Sequence, residues 1–314
     1  MPKQPTSNQP LKLRRSQLLY LAICVILLYV LVPQIGSLRQ TLPTVLHSHH
    51  TALFAAVGFV VLSYVAAAAE YYVLAVHRLR YRRSLQIQLA AMFANRLLPA
   101  GVGGMGVNYR YLRKQRHTSA QATSVVAVNN LLGFTGHMLL VTALLLFSST
   151  HVSLHVSRLK QLWWLPVLLL VIGLVVSHLP RLRRRRKAFV RHILAQLVAY
   201  QRHPLRLGLA LVASLGITLT TVSAFWLSCQ ALNLHVSFLT ALIAFTVGIT
   251  VGTATPTPGS LGGIEAGLVA GLVANGQAFT PAVGAVLAFR LVSYWLPLIF
   301  GAGFFFYVRR RAYI

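Results

Sequence analysis

Four side chains of fixed charge, Glu70, Arg96, Glu265 and Arg290, fall inside otherwise apolar segments. They stand out because the 314-residue chain has 29 lysines and arginines but only two acidic residues, both glutamates. A charge at membrane depth costs at least about 2.5 kcal/mol, so it pairs, faces a protein interior or marks a polar path. A helix rises about 1.5 Å per residue. Counted inward from Gly276, Glu265 lies about 16 Å deep, and counted from Pro281, Arg290 lies about 13 Å deep. The two reach similar levels from the outer face and could pair, either as a structural lock between helices or as a working pair. Glu70, about 10 Å in from His77, and Arg96, about 18 Å in from Ser84, match more loosely. Glu70 reads as a carboxylate that snorkels or pairs near the interface.

The stretch around Glu265, TPTPGSLGGIEAGLVAG at 255–271, sharpens the reading. Gly259, Gly263, Gly267 and Gly271 recur every four residues and make one small-residue face for close helix contact. At 3.6 residues per turn Glu265 projects roughly opposite that face. Pro258 suits a first helical turn, with Thr257 or Ser260 as its cap. The amide end of such a half-helix carries partial positive charge and attracts an anion such as phosphate. Beside it, Glu265 would meet a cation, and the two together would suit a zwitterionic or cationic phospholipid headgroup.

These charges need elements to hold them. The chain is 56% hydrophobic and only 10% charged, with mean hydropathy +0.68. That much apolar surface fits a bundle of membrane helices better than a soluble domain. Apolar runs at Leu18–Leu38, Thr51–Val76, Ala120–Ser148, Leu162–His178, Leu207–Ala231 and Ala282–Val308 each approach the roughly 17–25 residues a span needs. Two further apolar segments, 85–106 and 238–276, are interrupted by proline and glycine, which break a helix. Broken backbone at that depth survives only inside protein or along a polar cavity, so both are read as re-entrant hairpins.

Basic runs such as HRLRYRR, RYLRKQR and RLRRRRK fall between the apolar runs, as juxtamembrane loops do. They put both termini and the basic loop 179–206 in the cytoplasm, with tails at 1–17 and 309–314 and one membrane domain at 18–308. Hairpin one then enters from the cytoplasmic side and hairpin two from the outside. Two hairpins of opposite sense read as an inverted repeat or as two unrelated broken helices. The fold class is therefore all-α, a polytopic bundle of six spans plus two re-entrant hairpins. The formal charge of +27 reads as topology signal and attraction to anionic lipid, not as nucleic-acid binding.

Two blocks, NRLLPAGVGGMGVNYRYLRKQ and PTPGSLGGIEAGLVAGL followed by AFRLVSYWLPLIFG, resemble the transmembrane region of lysylphosphatidylglycerol synthases. They also resemble its stand-alone relatives, the flippase-like YbhN-type membrane proteins. The resemblance covers nearly the whole chain. It implies a bundle that moves lipids between leaflets. Its motif positions here are Pro256, Pro258, Gly259, Gly262, Glu265, Arg290, Trp295 and Pro297, with Asn95, Pro99 and Arg110 in the first block. Relatives often carry an acid after the first glycine cluster, where this chain has Met105 and Gly106. If that acid handles a headgroup amine, the lipid here differs. The loop 179–206 is too short for the aminoacyl transferase domain of the full-length synthases.

The substrate-binding set expected is thus Glu265, Arg290, Arg96, Asn95, Pro258, Gly259, Gly262 and Arg110, with no catalytic residue, metal or cofactor. The partners expected are membrane lipids: an anionic or aminoacylated phospholipid, or a lipid-linked glycan. A different class of function is a non-transporting membrane subunit that docks or regulates a lipid- or glycan-modifying enzyme. His47, His49 and His50 lack a nearby acid or cysteine and read as a solvated loop, not a metal site. The serine of PGSLGG with His137 does not have the spacing of an intramembrane protease, and two carboxylates cannot build an acidic channel ring. Cys24 and Cys229 form no CxxC and read as packing residues.

Overall fold

The structure is a computed structural model that describes residues 50–98, 101–147, 204–255 and 257–314. Among these the regular elements are helices, with no strand. In order they are α1 (His50–Leu74), α2 (Tyr81–Leu97), α3 (Val102–Lys114), α4 (Ser119–Phe147), α5 (Pro204–Ala231), α6 (Phe238–Ala254), α7 (Gly263–Ala274) and α8, which runs from Phe279 to Arg310. Inside hydrocarbon every backbone polar group must be satisfied within its own segment, and long apolar runs therefore become helices. α1, α5 and α8 are each long and apolar enough to cross a membrane, at 25, 28 and 32 residues. α4, at 29 residues, is about 43 Å long. These four lie within three residues of the corresponding expected runs. The expected spans Leu18–Leu38 and Leu162–His178, the tail 1–17 and loop residues 179–203 lie outside the described residues.

Both proline- and glycine-broken segments fold as helical hairpins, α2–α3 and α6–α7. The first is longer than expected: its second arm continues to Lys114 instead of ending near Gly106. In the second hairpin, glycine replaces side chains where α7 meets α6. A Cβ on Gly267 would sit 2.8 Å from the Gly248 Cα, and one on Gly271 would sit 2.5 Å from the Ala244 Cα. The small-residue face thus buries backbone against backbone. Gly259 is not part of it. It lies in a separate 3-10 turn, Pro258–Ser260, at φ +61. α7 itself begins at Gly263, so the expected helix start at Pro258 moves by five residues. The reason is Gly262, whose φ of +83 only glycine adopts readily and which serves as the N-cap.

The described helices repeat an order. A long helix, a 17-residue arm, a short arm of 13 or 12 residues and a second long helix occur as α1–α4 and again as α5–α8. The leading helices α1 and α5 pack closely together and run antiparallel. Ala56 and Val60 share an apolar cluster with Val222, Phe225 and Cys229. Tyr71 and Leu74, at the other end of α1, share a second cluster with Ala210. Midway, Gly216 faces Ala66. The two units are therefore arranged in inverted sense, which favours the repeat over two unrelated broken helices.

α8 is not a uniform helix. Residues Leu291–Trp295 form a π turn in which Leu296 N–H bonds Leu291 O, a widening that recurs at functional sites. Pro297 follows and has no N–H to give the carbonyl of Ser293 four residues back. The two apolar clusters meet around this turn: Phe289 and Val292 belong to one, and Ala94 of α2 to the other.

Candidate functional site

At the junction of the clusters the charged residues come together. Arg290 is 7% exposed and donates from Nε to Glu265 Oε1 at 2.6 Å, the one acid–base pair among the described residues. The other carboxylate oxygen, Oε2, accepts from the Gly262 N–H at 2.8 Å. Glu265 therefore caps its own helix at the N3 position while neutralising the arginine. Thr257 does not cap the helix; its hydroxyl donates to Leu261 O. Arg290 Nη2 lies 3.5 Å from Gly259 O, so the pair also fastens the 3-10 turn.

Arg96, on the other hairpin, meets no carboxylate. Its guanidinium donates to Met92 O on its own helix and to Ser293 O and Tyr294 O in the π turn of α8. It supplies the donor that Pro297 withholds from Ser293. Both arginines lie over the Tyr294 ring, Arg290 at 4.5 Å and Arg96 at 5.3 Å from its centroid. The ring is 4% exposed, and in a desolvated setting each such contact is worth about 2 kcal/mol. Gly259 touches the same ring: a Cβ there would lie 2.7 Å from Tyr294 Cε2. Tyr294 is thus a hub on α8 at which both hairpins converge.

Between the hairpin breaks opens a cavity of about 540 Å³. Gly101, Gly104 and Met105 line it from the first break, Thr253 and Ser260 from the second. Arg96 and a set of amide side chains, Gln88, Asn95, Asn108, Asn129 and Asn130, make most of the rest of its polar wall, with Tyr64 and Tyr71 beside them. Gln88 Nε2 donates to Asn108 Oδ1 and Asn108 Nδ2 donates to Gly104 O. Asn95 Oδ1 accepts from Gly104 N–H and so caps α3 from the preceding helix.

The structure brings together Glu265, Arg290, Pro258, Gly259 and Gly262 around the π turn, and joins Asn95 and Arg96 to them through Tyr294 and the cavity. Arg110 stands apart: it is exposed, beyond the residues that line the cavity. Pro99 and Pro256 lie outside the described residues. Glu70 does not snorkel to an interface. It is 1% exposed, hydrogen-bonded to Asn129, and not part of the cavity wall. The sequence reading named Asn95 but missed Tyr294, Ser293, Gln88, Asn108, Asn129 and Asn130. The pair Asn129–Asn130 inside an apolar run was the available signal, since buried amides in a span require partners.

A family model described as the lysylphosphatidylglycerol synthase TM region matches residues 17–301. No curated protein matches the chain.

Proposed function

The chain belongs to the lysylphosphatidylglycerol synthase TM-region family, a membrane protein tied to lipid metabolism, and from that premise we propose that it translocates a phospholipid or lipid-linked headgroup between leaflets. The observation that carries this reading is the cavity between the two hairpin breaks, lined by Arg96 and several amide side chains and by no acidic residue. A phosphate finds there a part-buried cation, whose attraction is stronger than that of a fully solvated one. Arg290, held by Glu265, keeps the second break and the π turn in register with the first. Broken helices around a midplane site are the usual construction of alternating-access transporters. The basic runs support placement in the cytoplasmic membrane with both termini inside.

The test is leaflet exchange of fluorescent phospholipids in liposomes that contain the purified chain. Wild type is expected to exchange lipid, Arg96→Gln to slow exchange at least tenfold, and Glu265→Gln to slow it at equal membrane abundance. Absence of exchange across anionic, zwitterionic and lysylated lipids, with folded protein in the bilayer, would sink the proposal. Co-purification of a stoichiometric membrane enzyme would then identify the chain as its docking subunit.

A further inference from the structure

The cavity wall carries a charge pattern that discriminates between headgroups. Its one fixed charge is Arg96. The two carboxylates of the chain are both withdrawn from it: Glu265 has one oxygen on Arg290 and the other on Gly262 N–H, and Glu70 is buried outside the wall. A headgroup amine entering this space would meet a guanidinium and no counter-ion, and an unpaired charge in a poorly solvated site is strongly disfavoured. The remaining polar wall is amide and hydroxyl, with Gln88, Asn95, Asn108 and Asn130 prominent; Asn129 also lines it and stands between the cavity and Glu70. The internal bonds use only one end of the amides of Gln88, Asn95 and Asn130. Each opposite end offers the donor or acceptor that a hydroxyl group matches.

A second cleft lies beside the first. It encloses about 780 Å³ between α3 and α4, and its wall is almost wholly apolar, with Val102, Val126, Leu131 and Phe134 prominent. Met105 and Asn130 line both spaces, so the cavity and the apolar cleft adjoin across these two side chains. Val102 and Phe134 are 56% and 65% exposed at its mouth. A chamber with a polar side set against an apolar slot has the form of one amphiphile, and both volumes fall in the range of about 300–1,000 Å³ usual for ligand pockets.

We propose that this paired cavity selects a lipid whose phosphate is esterified to an uncharged polyol, glycerol-like or sugar-like, with an acyl chain in the α3–α4 cleft, and that it rejects amine-bearing headgroups. The proposal rests on the lipid-handling reading above and names the substrate class of the same site. The phosphate lies against Arg96, the hydroxyls meet the amide wall, and the chain leaves past Met105.

The experiment measures occupancy, not movement. The full chain in detergent is mixed with equimolar phosphatidylglycerol, phosphatidylethanolamine and lysylphosphatidylglycerol of identical acyl chains, and the adducts are resolved by native mass spectrometry. Phosphatidylglycerol is expected to be retained about tenfold over the two amine lipids. Arg96→Gln is expected to reduce that preference to within about twofold. Asn95→Asp keeps the acceptor for Gly104 N–H but places a carboxylate in the wall, and is expected to shift retention toward the amine lipids. Soluble glycerophosphoglycerol at the same concentration should leave the bound lipid in place. Equal or stronger retention of the amine lipids by wild type would overturn the proposal, as would displacement by the soluble headgroup. Headgroup-blind binding with working leaflet exchange would reject this inference alone, whereas selective binding without exchange would reject only the translocation reading.

Discussion

Arg290 and Glu265 form a pair whose halves are unequal in what they leave behind. Removing the carboxylate strands a 7% exposed guanidinium and also uncaps α7 at Gly262. Breaking such a buried pair from one side costs about 3 kcal/mol, while replacing both members is far milder. Glu265→Gln is therefore expected to lower the thermal midpoint in detergent by several degrees. The double variant Glu265→Gln with Arg290→Gln should recover part of the loss. Strict additivity of the two single changes would show that the pair is not energetically coupled. This contact was legible from depth counting, because both residues sit on helices that start at recognisable ends. The Arg96 contacts to α8 were not legible: two of its three acceptors are carbonyls 197 and 198 residues away, and a carbonyl left open by Pro297 looks like any other in one dimension. The convergence of two arginines on Tyr294 was equally hidden, since aromatic residues are common in apolar runs.

At the scale of the element, the hairpins depend on glycine for two different reasons, and substitution separates them. Gly271 gives closeness: a methyl there meets the Ala244 Cα at 2.5 Å, so α6 and α7 must part. Gly58 of α1 has nothing within 4 Å of its Cβ position. Gly271→Ala is expected to destabilise the chain by about 1–3 kcal/mol through overpacking. Gly58→Ala should be neutral or stabilise by up to about 1 kcal/mol through helix propensity. Thermal unfolding of the two variants side by side measures the difference, and equal midpoints would contradict the packing argument. Gly259 serves conformation as well as space, with φ +61 and Tyr294 against it. The four-residue glycine spacing identified the packed face correctly for Gly263, Gly267 and Gly271. It could not show that Gly259 belongs to a separate turn, because spacing carries no information about where the backbone leaves the helix.

Across the whole molecule, two connections outside the spans are tied to each other by a histidine pair. His117, 2% exposed in the turn after α3, accepts the His77 N–H at Nε2. Its Nδ1 faces Leu112 O and Gln115 O at 3.1 and 3.2 Å, which fixes the proton there. Burial, reinforced by His77, holds the His117 pKa below its ordinary value of 6.5. A histidine whose pKa is depressed on folding adds stability that is present above the unfolded value and lost as pH falls. The contribution of His117 is therefore expected to be constant above pH 6.5 and to lower the midpoint as pH falls below it. His117→Gln should flatten this dependence at a lower overall stability, and an unchanged slope in that variant would assign the effect elsewhere.

The sequence by itself determined the long helices, the two broken segments and the charges that had to find partners. Hydrophobic length, glycine and proline punctuation and charge count are properties of position along the chain, so they can be read without contacts. It also placed the breaks in hairpins, although the ends of α3 and α7 were shifted by caps that depend on local φ. Only the tertiary structure decided the antiparallel packing of α1 on α5, the joining of both hairpins at the π turn of α8, and the amide-walled cavity with Arg96 in its wall. These features arise where residues nearly 200 positions apart share one small space, and pairing at that separation is set by how the helices pack, which no local pattern encodes.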